Sequence, residues 1–190
     1  GLLEKSNVHV YQGAARFIDA KTVKVGDQII TADRFMIATG GSPFVPDFSG
    51  REHVIVSDDA FLMDTLPKKM AIIGGGYIAV ELASIFRGLG VEVTLVVRSS
   101  RLLRSFDADL AEHLRAEQVK KGVMIQCATK VSRIDKTADG LRIICEECDS
   151  KTFDQVLYAT GRRPNSADLG LSDIGVSVDD KGAIVVDQRM

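Results

Sequence analysis

The stretch that decides the fold is AIIGGGYIA, at residues 71–79, where an apolar run meets three consecutive glycines. The apolar residues of Lys69–Ile73 predict a buried strand, because a short apolar run bounded by glycine is typical of a strand covered on both faces. The residues Tyr77–Arg87 predict a helix, which is followed by two further glycines. The segment therefore predicts a strand, a tight turn and a helix.

The three small residues of this turn have separate physical roles in a dinucleotide site. Gly74 permits the sharp change of direction, and Gly76 lets backbone N–H groups approach a pyrophosphate. Ala79 stands where a third glycine is common and keeps the helix close to the strand. The N-terminus of the helix adds roughly half a positive charge, which favours phosphate. Since the pattern follows a strand and opens a helix, it predicts dinucleotide binding.

The end of the next strand indicates which dinucleotide is bound. An NAD site has Asp or Glu about 20 residues after the glycines, and the corresponding residue here is Val97. Arg98 follows directly and Arg104 lies six residues later. Each arginine–phosphate contact contributes roughly 1.5–3 kcal/mol, so the pair favours NADPH over NADH. The alternative is that Arg98, Arg101 and Arg104 are solvated surface charges.

The remaining pattern predicts an α/β fold with a mainly parallel sheet and an inserted β-meander. Asp107 is a good N-cap for a helix that runs to Lys121, with Gly122 after it. The other predicted elements are strands at 8–11, 22–25, 28–30, 35–39, 91–97, 123–127, 131–135, 141–145 and 156–160, and a short helix at 58–64.

Two segments of the chain resemble each other. Residues 33–43 and 154–164 share five identities at equal spacing, including an Ala-Thr-Gly strand end. Each segment follows hairpin-like strands, which indicates two related nucleotide-binding units. One unit is complete in this chain, and only the tail of the other is present.

The composition limits the possible function. Hydrophobic residues make up 45% of the 190 residues and the net charge is −2, which favours a packed core and gives no electrostatic footprint for nucleic acid. No apolar run approaches the roughly 18 residues of a membrane span, and no signal peptide is evident. The three cysteines are too few for a disulfide framework, so a cytoplasmic location is expected.

Histidines and cysteines give no separate active centre. The three histidines are scattered, so no metal site is expected. The tetrad Cys145-Glu146-Glu147-Cys148 has redox spacing, but it does not open a helix, and its glutamates would raise a thiol pKa. The tetrad is therefore interpreted as structural.

The strings GGGYIAVE (74–81), VR (97–98) and LRSFD (103–107) resemble the glutathione reductase family of FAD-dependent pyridine nucleotide–disulfide oxidoreductases. The resemblance covers essentially the whole chain. It implies a Rossmann-like NADPH-binding domain at 49–168, later strands of a partial FAD-binding domain at 1–48, and a return segment to that domain at 169–190.

The resemblance also implies roles for residues beside the glycine turn. Gly75 and Ile78 would line the NADPH site through backbone and apolar contacts. Tyr77 would be an aromatic flap over the flavin, and Glu81 would lie beside the nicotinamide ring. Packing of Tyr77 at a helix start and solvation of Glu81 are the alternatives that the residues alone leave open.

Residues farther along the chain would complete the cofactor sites by the same resemblance. Gly161 and Arg162 would close the NADPH site from the last strand, with an ordinary loop charge as the alternative for Arg162. Ala15, Thr39 and Gly40 would approach the flavin nucleotide through their backbones.

In the whole enzyme the resemblance implies electron transfer from NADPH through FAD and a protein disulfide to glutathione disulfide, in a homodimer. The family's FAD glycine fingerprint, cysteine pair and acid–base histidine are absent here, so no catalytic residue is assigned and the chain alone is expected to lack reductase activity. Ser99 stands where the family often has His or Lys, which weakens the case for a third phosphate contact.

Other functions are compatible with these residues. Trypanothione, mycothione and mercuric reductases could share the arginines, whereas a dihydrolipoamide dehydrogenase should carry an acid near Val97. A stand-alone NADPH-sensing module is the alternative from a different class.

Overall fold

The computed structural model describes residues 2–146 and 149–188, and the chain forms two compact units. Pro43–Arg162 is the central unit, and Gly1–Ser42 with Arg163–Met190 is the split unit. The elements in chain order are α1 (Leu2–Lys5), β1 (Ala15–Asp19), β2 (Thr22–Val25), β3 (Gln28–Thr31), β4 (Gly41–Pro43), β5 (Ile55–Val56), α2 (Ser57–Ala60), β6 (Lys69–Ile73), α3 (Tyr77–Gly88), β7 (Glu92–Val96), α4 (Ala108–Lys120), β8 (Met124–Gln126), β9 (Val131–Thr137), β10 (Gly140–Cys145), β11 (Lys151–Phe153), β12 (Gln155–Tyr158) and β13 (Arg162–Pro164).

The central unit is built on a five-stranded parallel sheet in the order β5-β12-β6-β7-β8. Successive side chains of a strand point to opposite faces, so β6 contributes to two separate cores. Met70 and Ile72 pack with α3 on one face, and Ala71 and Ile73 pack on the other. Parallel strands covered on both faces are continuously apolar, as this run is.

The second face of the sheet is covered by a three-stranded antiparallel meander, β11-β10-β9. Its apolar residues Ile134, Ile143 and Phe153 share a core with Ala71 and Ile73. The α/β fold with an inserted meander is thus confirmed.

The split unit contains the antiparallel sheet β1-β2-β3, in which Gly26 turns between β2 and β3 with φ +60°. Its core is formed by Phe17, Val23, Val25 and Leu171. A two-stranded sheet pairs β4 with β13.

Three predicted elements differ from the structure. Residues 8–11 and 35–39 form no strand, because no other strand of the described residues pairs with them. The helix predicted at 58–64 is only α2, since the side chains of Phe61 and Leu62 that follow it are exposed and find no core to pack against. Among the described helices, none has the length and apolar character of a membrane span.

Candidate functional site

The predicted dinucleotide site lies at the carboxyl edge of the parallel sheet. The last residues of three neighbouring strands are in register, with Ile73 of β6 opposite Val96 of β7 on one side and Tyr158 of β12 on the other. From β6 the chain continues through α3 to β7, whereas β12 joins β6 on its opposite side. Ligands of open α/β sheets bind outside the carboxyl ends of the strands at such a switch point.

Gly74 is required by the protein's own packing. Its φ is +146°, and a Cβ added there would lie 2.3 Å from the carbonyl oxygen of Ala159. Its N–H donates to the Val96 carbonyl at 2.9 Å. Gly74 therefore joins the ends of β6, β7 and β12, and the sequence-based role in the tight turn agrees with this geometry.

Gly75 ties the glycine turn to the loop that carries the arginines. A Cβ on Gly75 would lie 2.7 Å from Cγ1 of Val97, so the Val97 side chain packs directly against the Gly75 backbone. The Gly75 carbonyl accepts a hydrogen bond from the N–H of Leu103 at 2.7 Å. The loop at 98–107 is thus fixed against the turn by both packing and hydrogen bonding.

Gly76 faces open space at the start of α3. It is exposed, and a Cβ on it would meet nothing within 4 Å. No side chain caps the helix at this residue, and its first turn holds no acidic residue. The first amides of a helix lack intrahelical partners and attract anions. The turn therefore fits an anionic group such as a pyrophosphate.

Three other predicted residues follow on the first turns of α3. Ile78 is half-buried and packs against the core, whereas Tyr77 and Glu81 are exposed. The Tyr77 side chain is 55% exposed, which does not support the alternative that it is a packed core residue. The positions of Tyr77 and Glu81, one helical turn apart, leave both side chains accessible to a ligand at the turn.

The loop at 98–107, called the arginine loop below, follows a buried residue that carries no charge. Val97 directly follows β7 and is 1% exposed. It stands where an NAD site would have a carboxylate. Arg98 and Arg104 are both exposed, and within residues 2–146 and 149–188 neither guanidinium has a hydrogen-bond or ion-pair partner. The first acidic residue after Arg104 is Asp107, whose Oδ1 caps α4. The charged side chains of residues 98–106 are therefore all positive.

The loop is shaped by side chains that sequence analysis did not identify as part of the site. The Ser99 hydroxyl donates to the Arg101 carbonyl at 2.8 Å, and Nη2 of Arg101 donates to the Arg104 carbonyl at 2.8 Å. Leu103 adopts φ +46° between them. In this structure the Ser99 hydroxyl donates its hydrogen within the loop. Turn geometry of this kind leaves no local pattern in the sequence.

The loop after β12 lies against Gly74 through Ala159 and contains the remaining predicted residues of the central unit. Gly161 adopts φ +145°, and a Cβ there would meet nothing within 4 Å. Nη1 of Arg162 lies 4.0 Å from Oδ1 of Asp58, an exposed ion pair of small energetic weight. Gly161 and Arg162 are both exposed.

The predicted flavin contacts lie in the split unit. Ala15 begins β1 and pairs with Val25. Asn165 holds the other two residues: its Nδ2 donates to the Thr39 carbonyl at 3.0 Å, and its backbone N–H donates to the Gly40 carbonyl at 3.0 Å. Thr39 returns a bond from its hydroxyl to the Asn165 carbonyl at 2.7 Å. Sequence analysis did not identify Asn165.

The two described cysteines differ in chemical state. Cys145 is disulfide-bonded, and Glu147 and Cys148 of the predicted structural tetrad lie outside the described residues. Cys127 is a free thiol, and burial raises its pKa. A raised pKa lowers the thiolate fraction, so Cys127 is not an activated nucleophile.

Comparisons with known proteins show the family of the chain and several of its relatives. Residues 1–190 match the family described as Pyridine nucleotide-disulphide oxidoreductase. A glutathione reductase from Burkholderia cepacia is 39% identical over 187 residues, 98% of this chain and 42% of that protein. A mercuric reductase from Staphylococcus aureus is 35% identical over 194 residues, 100% of this chain and 36% of that protein.

A solved structure shows the same fold. The HOCl-induced flavoprotein disulfide reductase RclA from Escherichia coli superimposes with a TM-score of 0.89 at 32% identity, over 96% of this chain and 43% of that one. The chain thus spans less than half the length of each of these proteins.

Proposed function

Because the chain belongs to the pyridine nucleotide-disulphide oxidoreductase family, we propose that it is the NADPH-binding portion of an FAD-dependent disulfide reductase of the glutathione reductase type. In the whole protein, electrons would pass from NADPH through FAD and a protein disulfide to glutathione disulfide. The observation that carries the proposal is the open, uncapped start of α3 beside a positively charged loop that is hydrogen-bonded to the same glycine turn.

The proposed role of each residue follows from the geometry of the central unit. The backbone around Gly76 and Ile78 would hold the pyrophosphate, because the amides at the start of α3 have no side-chain cap. Arg98 and Arg104 would bind the 2′-phosphate, which NADH lacks. Tyr77 would cover the flavin, and its exposure at the helix start supports this role.

The remaining proposed contacts complete the two cofactor sites. Glu81 would lie beside the nicotinamide, and Gly161 and Arg162 would close the NADPH site. Ala15, Thr39 and Gly40 would approach the flavin nucleotide through their backbones. The open space around Gly161 supports its part of the proposal.

We propose that residues 49–168 form the NADPH-binding domain and that 1–48 and 169–190 belong to the FAD-binding domain. The division of the chain after residues 42 and 162 into a central and a split unit supports this organisation. A homodimer with glutathione disulfide as its substrate and a cytoplasmic location remain predictions for the whole protein.

Calorimetric titration of the 190-residue chain with NADPH and with NADH tests the cofactor assignment. The chain is expected to bind NADPH more tightly than NADH by at least about tenfold, because each arginine contact contributes roughly 1.5–3 kcal/mol. The variants R98A and R104A should each weaken NADPH by at least about tenfold and leave NADH within about twofold. Equal affinities of the unaltered chain for the two cofactors would overturn the assignment.

A matched control comes from the meander. Arg142 is exposed on β10, outside the arginine loop, so R142A removes the same charge from the same unit. We expect R142A to change the affinity for NADPH by less than about twofold, apart from a weak, salt-screened effect of net charge. A loss as large as that of R98A would mean that total charge, not the loop, determines cofactor preference.

The mercuric reductase relative supports a second candidate, an NADPH-dependent reductase of a metal ion. Assay of the complete gene product with NADPH separates the two. Consumption of NADPH with glutathione disulfide supports the proposed function. Consumption with Hg(II) or with trypanothione or mycothione disulfide only would replace it, and NADPH binding without any reductase activity would favour the sensing module.

A further inference from the structure

Resting on the proposed function, we infer that Ser99 and Arg101 are positioning residues for NADPH recognition. Their side chains hold the backbone of the arginine loop so that Arg104 meets the 2′-phosphate, and they do not bind the phosphate themselves. The inference comes from a chain of side-chain hydrogen bonds that ends at the Arg104 carbonyl.

Two side-chain hydrogen bonds follow one another along the loop, from Ser99 to Arg101 and from Arg101 to Arg104, and together they are called the relay. The hydroxyl of Ser99 donates to the carbonyl of Arg101 at 2.8 Å, and the guanidinium of Arg101 donates to the carbonyl of Arg104 at 2.8 Å. The backbone N–H of Leu103 donates to the Gly75 carbonyl at 2.7 Å. The relay therefore connects the position of Arg104 to the glycine turn, where the pyrophosphate would bind.

The backbone needs this support because Leu103 is held in an unfavourable conformation. A φ of +46° is uncommon for a residue with a side chain, and it persists only where its surroundings impose it. The buried side chains of Leu102 and Leu103 anchor the bend in the core. Arg101 then closes the bend on its outer side by bonding the Arg104 carbonyl.

The same bonds argue against direct phosphate contacts. A serine hydroxyl has one hydrogen to donate, and that of Ser99 is given to Arg101. Arg101 is half-buried, whereas Arg98 and Arg104 are exposed. The three arginines of the loop are thus divided into two that are free to receive a ligand and one that is engaged in shaping the loop.

A double-mutant cycle distinguishes positioning from direct binding. The proteins are the unaltered chain, R101M, R104M and the double variant, each titrated with NADPH and with NADH by calorimetry. We expect R101M to weaken NADPH by about fivefold and to leave NADH within about twofold, because NADH has no phosphate for Arg104 to meet. In the R104M background, R101M should have no further effect on NADPH, since a residue that acts through Arg104 has nothing left to position.

The outcomes separate this inference from the proposed function. If the unaltered chain prefers NADPH but R101M weakens it equally in both backgrounds, Arg101 binds the phosphate on its own and the inference is overturned. If the unaltered chain shows no preference for NADPH, the proposed function fails, and the inference fails with it.

Variants of Ser99 test the same inference without removing a charge. S99A should weaken NADPH by about threefold in the unaltered background and not at all in the R104M background, and S99T, which keeps the hydroxyl, should restore the affinity. The titrations of S99A and S99T do not depend on the folding of R101M, and neither substitution changes a charge. An unchanged NADPH affinity in S99A, or failure of S99T to restore it, would contradict the relay.

Discussion

The two long helices of the central unit begin in opposite ways. Helix α4 starts at Asp107, whose Oδ1 accepts hydrogen bonds from the N–H groups of Asp109 at 3.0 Å and Leu110 at 3.1 Å. Helix α3 starts at Gly76, with no side-chain cap and no acidic residue in its first turn. Both helices have amides that need an acceptor, but only in α4 does a capping side chain accept from two of them.

The difference supports the proposed role of each helix start. A self-capped helix gains stability and offers nothing to an anion, because a carboxylate already occupies the site. The uncapped start of α3 forgoes that stability and leaves its amides for a ligand. In sequence the arginine loop lies between the two helices, from the end of β7 to Asp107, and the first carboxylate after Arg104 is engaged in the cap on α4.

The largest expected effect is a loss of stability at Gly74, the glycine that the fold requires. G74A should lower the free energy of unfolding by about 3 kcal/mol, because its Cβ would collide with the Ala159 carbonyl at a φ of +146°. Urea denaturation measures the change. The control is G88A in α3, where a Cβ meets nothing within 4 Å and a gain of up to about 1 kcal/mol is expected. Equal stabilities of the two variants would contradict the packing argument.

The next effect is obtained by making the start of α3 resemble that of α4. G76D introduces a carboxylate where Asp107 stands in α4, at a position with open space for it. We expect NADPH to bind about 100-fold more weakly, since the carboxylate occupies the amides and repels phosphate, while the unfolding free energy changes by less than about 1 kcal/mol. G76N, which can cap without charge, should lose less affinity. Undiminished NADPH binding by G76D would place the phosphates elsewhere.

The smallest effect is the converse change at α4. D107A removes the cap and should lower the free energy of unfolding by about 1 kcal/mol, with NADPH affinity changed by less than about twofold. D109A is the control, because Asp109 lies in the same turn but its carboxylate is not the N-cap, and a loss below about 0.5 kcal/mol is expected. A D107A variant that lost NADPH binding but kept its stability would reverse the roles assigned to the two helices.

The parts of the fold that sequence analysis predicted correctly are those specified by local chemistry. The turn at Gly74–Gly76, the N-cap Asp107 and the left-handed Gly122 after α4 each have a short-range cause. The similar strings at 33–43 and 154–164 show the limit of such reasoning. Residues 155–158 of the second form β12 because β5 and β6 flank them, whereas residues 35–39 of the first pair with no strand of the described residues and stay irregular.

The candidate site has a similar division. The residues proposed to bind phosphate, Gly76, Arg98 and Arg104, follow from motif and spacing. The relay through Ser99 and Arg101 was not predictable, since it depends on a bend with Leu103 at positive φ that no local pattern requires. A serine and an arginine in a polar loop have the same appearance in sequence whether they bind a ligand or hold the backbone.

An amide-resolved NMR titration of the ¹⁵N-labelled chain with NADPH tests directly whether the phosphates bind at the start of α3. We expect chemical-shift changes at the N–H groups of Gly75, Gly76 and Ile78 and in the arginine loop, and no change at those of Asp109 and Leu110 in α4. Changes concentrated at the start of α4, or an unperturbed start of α3 at saturating NADPH, would contradict it.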